Sequence, residues 1–127
     1  MLLIDKDLRL LSWLGRILAK AGFRTVPVTS CRFAERLLAK SSLQVDLVVV
    51  NVSLPGSARF MRSLLRNFPN MKVIALLDGE FQPPLPPHAH SYFRKPERDD
   101  LKAIVDELEA TLEWLCVVQE VLRDPIG

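Results

Sequence analysis

Few residues in this chain could do chemistry. They are the carboxylate Asp5 beside Lys6, the amide Asn51, the lysine of Lys95-Pro96, the pair His88 and His90, and the two cysteines Cys31 and Cys116. Asn51 ends the apolar run Leu47-Val48-Val49-Val50 and precedes Pro55-Gly56, which reads as a buried strand running into a turn. Its amide is neutral and a poor nucleophile, unlike a carboxylate. His88 and His90 have no Cys or carboxylate beside them at ligand spacing, which argues against a metal. The cysteines fall in different predicted helices and read as reduced thiols of a cytoplasmic protein. There is no nucleophile–base pair and no glycine-rich phosphate loop, so neither enzymatic activity nor a cofactor is expected.

The elements that must position these residues alternate in type. Met1 to Ile4 is a short apolar strand, and Leu10, Leu11, Leu14, Ile17, Leu18 and Ala21 recur at helical spacing between Asp7, a good N-cap, and Gly22. Thr25 to Val28 reads as a second strand, placed at a sheet edge by Pro27. Ser30 opens a helix to about Lys40 with Phe33, Ala34, Leu37 and Leu38 on its inner face. The third strand, Leu47 to Asn51, is apolar throughout, as strands of a parallel sheet buried on both faces are. A helix carrying Phe60, Met61, Leu64, Leu65 and Phe68 follows, then strands at Val73 to Leu77 and Ser91 to Arg94, then a last helix from about Arg98. Alternation of this kind implies βαβ units and a parallel sheet with helices on both sides.

The order and local chemistry over residues 1 to about 110 resemble the receiver domains of bacterial two-component response regulators. The resemblance implies an α/β, flavodoxin-like (CheY-like) three-layer sandwich with a five-stranded parallel sheet of order 2-1-3-4-5. It also implies a pocket at the carboxyl ends of the strands. Asp5 matches the first acid of the family's magnesium-binding pair, but Lys6 stands for the second. Asn51 replaces the phospho-accepting aspartate, and Leu77 replaces the Ser or Thr that hydrogen-bonds the phosphoryl group. Lys95 is kept, and Tyr92 matches the aromatic switch position. Asp5, Lys6, Asn51 and Lys95 sum to a formal +1, where the family's three carboxylates and one lysine leave a negative charge that a divalent cation relieves. The resemblance therefore implies a pseudo-receiver: a phosphorylation-independent signalling module that binds no metal. Four prolines among residues 83–87 forbid a regular helix where the family places its fourth, so that helix is expected to be lost.

The chain fits one domain, with residues 1–110 receiver-like and 111–127 an extension of the last helix serving for dimerisation or as a linker. No glycine or proline interrupts Arg98 to Arg123, and Leu101, Ile104, Leu108, Leu112, Leu115, Val118 and Leu122 lay an apolar stripe along it. Such a helix would run about 39 Å, against about 17–20 Å for a strand, so its second half is expected to project beyond the sheet. It then pairs with a second copy or leads to an output domain; the other fate is to fold back on the same domain. Residues 1–96 hold 14 Lys/Arg against 6 Asp/Glu, and residues 97–127 hold 3 against 9. The basic residues lie at helical spacing in Arg9, Arg16, Lys20; Arg32, Arg36, Lys40; and Arg59, Arg62, Arg66, which reads as solvated helix faces. No direct nucleic-acid contact is expected on that ground, and no apolar run is long enough to span a membrane. The expected partner is a protein, either another one or a second copy. A DNA-binding regulator whose output domain lies outside this chain is the alternative.

Overall fold

A computed structural model describes residues 1–40, 44–78, 84–85, 88–95 and 103–123, with the helix but not the side chains given for 103–110. The elements are β1 (Leu2–Ile4), α1 (Leu8–Lys20), β2 (Val26–Val28), α2 (Cys31–Leu38), β3 (Leu47–Asn51), α3 (Ser57–Asn67), β4 (Lys72–Leu77), β5 (Ser91–Arg94) and α4 (Ala103–Arg123). The strands form one parallel sheet in the order β2-β1-β3-β4-β5, as expected. Pro27, which has no amide to donate, sits on the edge strand β2.

The side-chain period of two divides each central strand between two cores. Leu2, Ile4, Val48 and Val50 face α2 and α3, while Leu3, Leu47 and Val49 face α1 and α4. Helix ends follow the sequence signals. The Asp7 carboxylate accepts from the amides of Arg9 (3.1 Å) and Leu10 (3.2 Å), and Ser30 Oγ accepts from the amide of Phe33 at 3.1 Å. Gly22, at φ 91°, ends α1: its amide donates to Ala19 O, and that of Phe23 donates to Leu18 O.

Three expectations are corrected. Phe33 is 50% exposed, because the buried stripe of α2 is Cys31, Ala34 and Leu38, and Phe33 lies one helical step from it. On α3, Phe60, Met61 and Leu64 fill the core, leaving Leu65 and Phe68 outward. The largest correction concerns α4, whose second half does not project. Trp114, Val118 and Val121 are buried against α1 and the sheet, and the Trp114 ring meets Phe93 at 5.0 Å between centroids. Lys72, buried at the start of β4, donates from Nζ to Val121 O (2.6 Å) and Leu122 O (3.3 Å), which ties the C-terminal end of α4 to the sheet. A cation satisfying helix-terminal carbonyls is favourable in both charge and hydrogen bonding.

Of the predicted stripe, Val118 is buried, Leu115 and Leu122 are half-buried, and Leu112 is 61% exposed. Leu101 lies outside the described residues, and Ile104 and Leu108 are on α4 with side chains outside the description. Among the described residues no helix separates β4 from β5. Replacing Lys72 by Met should cost about 1–3 kcal/mol, because it strips a buried donor from helix-terminal carbonyls. Denaturant unfolding measures that cost, and an unchanged midpoint would show that the tether contributes nothing.

Candidate functional site

The register brings four strand ends to one edge of the sheet. Ile4 pairs with Val50, so the next residues, Asp5 and Asn51, are neighbours. Leu77 pairs with Arg94, which places Asp78 and Lys95 one step beyond their strands. Four polar residues thus converge where apolar strands stop.

Asp5 is fully buried. Its Oδ1 accepts from Asn51 Nδ2 at 3.2 Å and from the amide of Asp7 at 3.1 Å. Its Oδ2 meets Lys95 Nζ at 2.5 Å. The same ammonium reaches Asp78 Oδ1 at 3.0 Å, so one lysine is shared by two carboxylates. Asn51 is buried, and its Oδ1 accepts the amide of Ser53 at 2.8 Å. Each polar atom of the Asn51 side chain is therefore used: the amino group toward a carboxylate and the carbonyl toward the turn. Ser57 Oγ donates to Val52 O at 2.7 Å and closes the same turn, and Gly56, at φ 77°, supplies its left-handed residue.

The electrostatics follow from this sharing. Burial pulls the Asp78 carboxyl upward, but hydrogen bonds from Ser53, Lys95 and Asn51 outweigh it and hold its pKa below the usual value of 3.8. Burial pulls the Lys95 ammonium downward, but Asp5 and Asp78 outweigh it and raise its pKa above 10.5. Burial, then nearby Glu35, pushes the Cys31 thiol up to about 11, so it stays protonated and unreactive at neutral pH.

The structure brings together Asp5, Asn51 and Lys95 and leaves Lys6 out. Lys6 is exposed, and the cation on Asp5 is Lys95. Leu77 is buried beneath the site, and its carbonyl accepts the amide of Lys95 at 2.8 Å. Tyr92 is half-buried on β5, in register with Ala75. Sequence reasoning missed Asp78, although the signal was present: like Asp5, it is an acid directly after an apolar strand. With Asp78 joining the site and Lys6 outside it, Asp5, Asn51, Asp78 and Lys95 sum to a formal −1, which corrects the expected +1.

A magnesium ion does not fit this arrangement. Asp5 Oδ2 already holds the Lys95 ammonium and Oδ1 accepts from Asn51 Nδ2 and the Asp7 amide, so a divalent cation would have to displace Lys95 and lie against its charge. Among the described residues no group of three His, Cys, Asp or Glu is placed to hold a metal. His90 Nδ1 accepts the amide of Val73 at 3.1 Å and so extends the β4–β5 ladder.

At the level of sequence, no family model and no curated protein matches the chain. Solved structures do match. The receiver domain of NtrX from Brucella abortus is similar with a TM-score of 0.73 at 13% identity, over 98% of each chain. The chemotaxis response regulator CheY4 of Vibrio cholerae gives 0.72 at 16% identity, over 94% of this chain and 95% of that one. The signal receiver domain of an HD domain-containing protein from Pseudomonas fluorescens gives 0.63 at 23% identity, over 93% and 90%. The chain therefore has the flavodoxin-like fold of response regulator receiver domains, with its polar cluster at the carboxyl ends of the strands.

Two outcomes test the cluster. Asn51→Asp would replace the donor to Asp5 with a like charge and should cost about 1.5–3 kcal/mol at neutral pH. Thermal unfolding measures it, and a gain in stability would contradict the bonding described. The lowered pKa of Asp78 contributes stability that is complete above 3.8 and lost as pH falls through its folded value. Lys95 contributes stability below 10.5 that is lost as pH rises through its own folded value. Asp78→Asn should therefore flatten the acid limb of a stability–pH curve; an acid limb identical to wild type would contradict this.

Proposed function

We propose that this protein is a phosphorylation-independent pseudo-receiver, a non-enzymatic signalling module that acts by binding protein. One observation carries the reading: the acceptor position holds an amide, and the lysine that would meet a phosphoryl group is already shared by Asp5 and Asp78. An incoming phosphoryl group would find no nucleophile, no hydroxyl at Leu77 and a cation already neutralised on two sides. With this chemistry absent, the surface is what the chain offers to a circuit.

Self-association through the last helix belongs to the same reading. Leu112 is its exposed apolar anchor among the described side chains, since Val118 and Val121 serve the chain's own core. The alternative is a regulatory domain joined to a DNA-binding output domain. What favours an attached output domain, though not its DNA-binding character, is that the P. fluorescens structure is the receiver domain of an HD domain-containing protein.

Acetyl phosphate or beryllofluoride, each with magnesium, should leave the amide NMR spectrum unchanged. Large shifts centred on residue 51 would overturn the reading.

A further inference from the structure

The outer helices differ in charge: α2 and α3 on one face of the sheet are basic, whereas on the other face the acidic α4 lies beside α1, which carries exposed Arg9, Arg16 and Lys20 and no acid. On one face α2 and α3 lie side by side over the same core. Arg32 and Arg36 of α2, Lys40 just past it, and Arg59, Arg62 and Arg66 of α3 are all exposed. Glu35 is the single acid on these two helices, and none of the six cations forms an ion pair with a described residue. Two apolar side chains stand among the cations, Phe33 at 50% exposure and Leu65 at 54%. On the other face, the sequence of α4 holds five acids (Asp106, Glu107, Glu109, Glu113, Glu120) against the single base Arg123. Glu113 and Glu120 are exposed on the same side of α4 as Leu112.

We propose that the α2–α3 face binds the outer face of α4 from a second copy of this chain, head to tail. The inference deepens the protein-binding reading above and rests on it. Charge complementarity orients the contact: a run of cations that form no ion pair with a described residue meets a helix rich in carboxylates. Exposed ion pairs contribute little singly, so apolar contact must supply the rest, and Leu112 is the counterpart to Phe33 and Leu65. That apolar content separates the proposal from nucleic-acid binding, because a phosphate backbone offers nothing to cover a half-exposed Phe and Leu. The two surfaces lie on opposite sides of the sheet, so one molecule can use both at once. A heterologous contact of this kind need not close, and it grows into an open-ended chain of molecules.

Sedimentation velocity on the full chain tests this. The wild type should show an average mass that rises with concentration at low ionic strength and falls with added salt. Arg59→Ala with Arg66→Ala removes one surface, and Glu113→Gln with Glu120→Gln removes the other, without creating a new opposite-charge pair between the two variants. Each variant alone should stay monomeric with an unchanged circular dichroism spectrum. Mixed in equal amounts, the variants should form a dimer that grows no further, because each supplies the surface the other lacks. Three results would overturn the proposal: a wild type that is monomeric at hundreds of micromolar, loss of association in the α4 variant only, or a monomer that binds duplex DNA through the arginines. None of these bears on the phosphorylation test, so the two readings fail separately.

Discussion

A carboxylate with no access to water stands at the centre of this molecule. Asp5 is fully buried at the end of β1, and removing a charge from water costs several kcal/mol unless partners replace the lost hydration. Lys95, Asn51 and the amide of Asp7 are those partners. They come from β5, β3 and the start of α1, so satisfying one side chain aligns three separate stretches of chain. Asp78 shares the same ammonium and adds the end of β4. A parallel sheet whose strands are short, three residues in β1 and four in β5, gains a second fastening from this cluster where its hydrogen-bond ladder runs out.

The opposite end of the sheet has its own charged fastening. Lys72 begins β4 and holds the last carbonyls of α4, so β4 is tied at its first residue to a helix and just past its last to the polar cluster. Between those ties β4 is entirely buried. Both fastenings use a lysine whose aliphatic stem can cross apolar surroundings to reach fixed acceptors, and both close parts of the fold that lie far apart in sequence.

Much of this was legible in the sequence. The apolar run of β3, the proline on edge strand β2, and the caps at Asp7, Ser30 and Gly22 are local signals with local causes. Alternation of strand and helix then leaves few topologies, and the observed order is among them. What was not legible depends on contacts remote in sequence. The apolar periodicity of α4 marks a face that must be covered but does not say by what, so a helix packed on its own domain looks like one seeking a partner. Nothing near Lys72 in sequence marks it as a tether, because its acceptors lie at the end of α4. Asp78 reads as the first residue of a loop until Lys95 arrives from the neighbouring strand. Phe33 reads as core by hydrophobicity alone, since a single step around α2 separates inside from outside.

Charge at the strand ends is paired within the cluster. An acid stands on either side of Lys95, at positions 5 and 78, and the central strand β3 ends in a neutral amide at position 51. An aspartate at residue 51 would stand beside Asp5 with no proton to donate and would need a cation between them; the amide provides the donor itself. A switch requires two arrangements close in free energy, each stabilised by a different set of charges. Here the lysine, the amide and both acids satisfy one another in one arrangement. On the proposed reading that equilibrium is biased by sequence instead of by a covalent group, and the only remaining way to shift it is a binding partner with differential affinity for the outer helices.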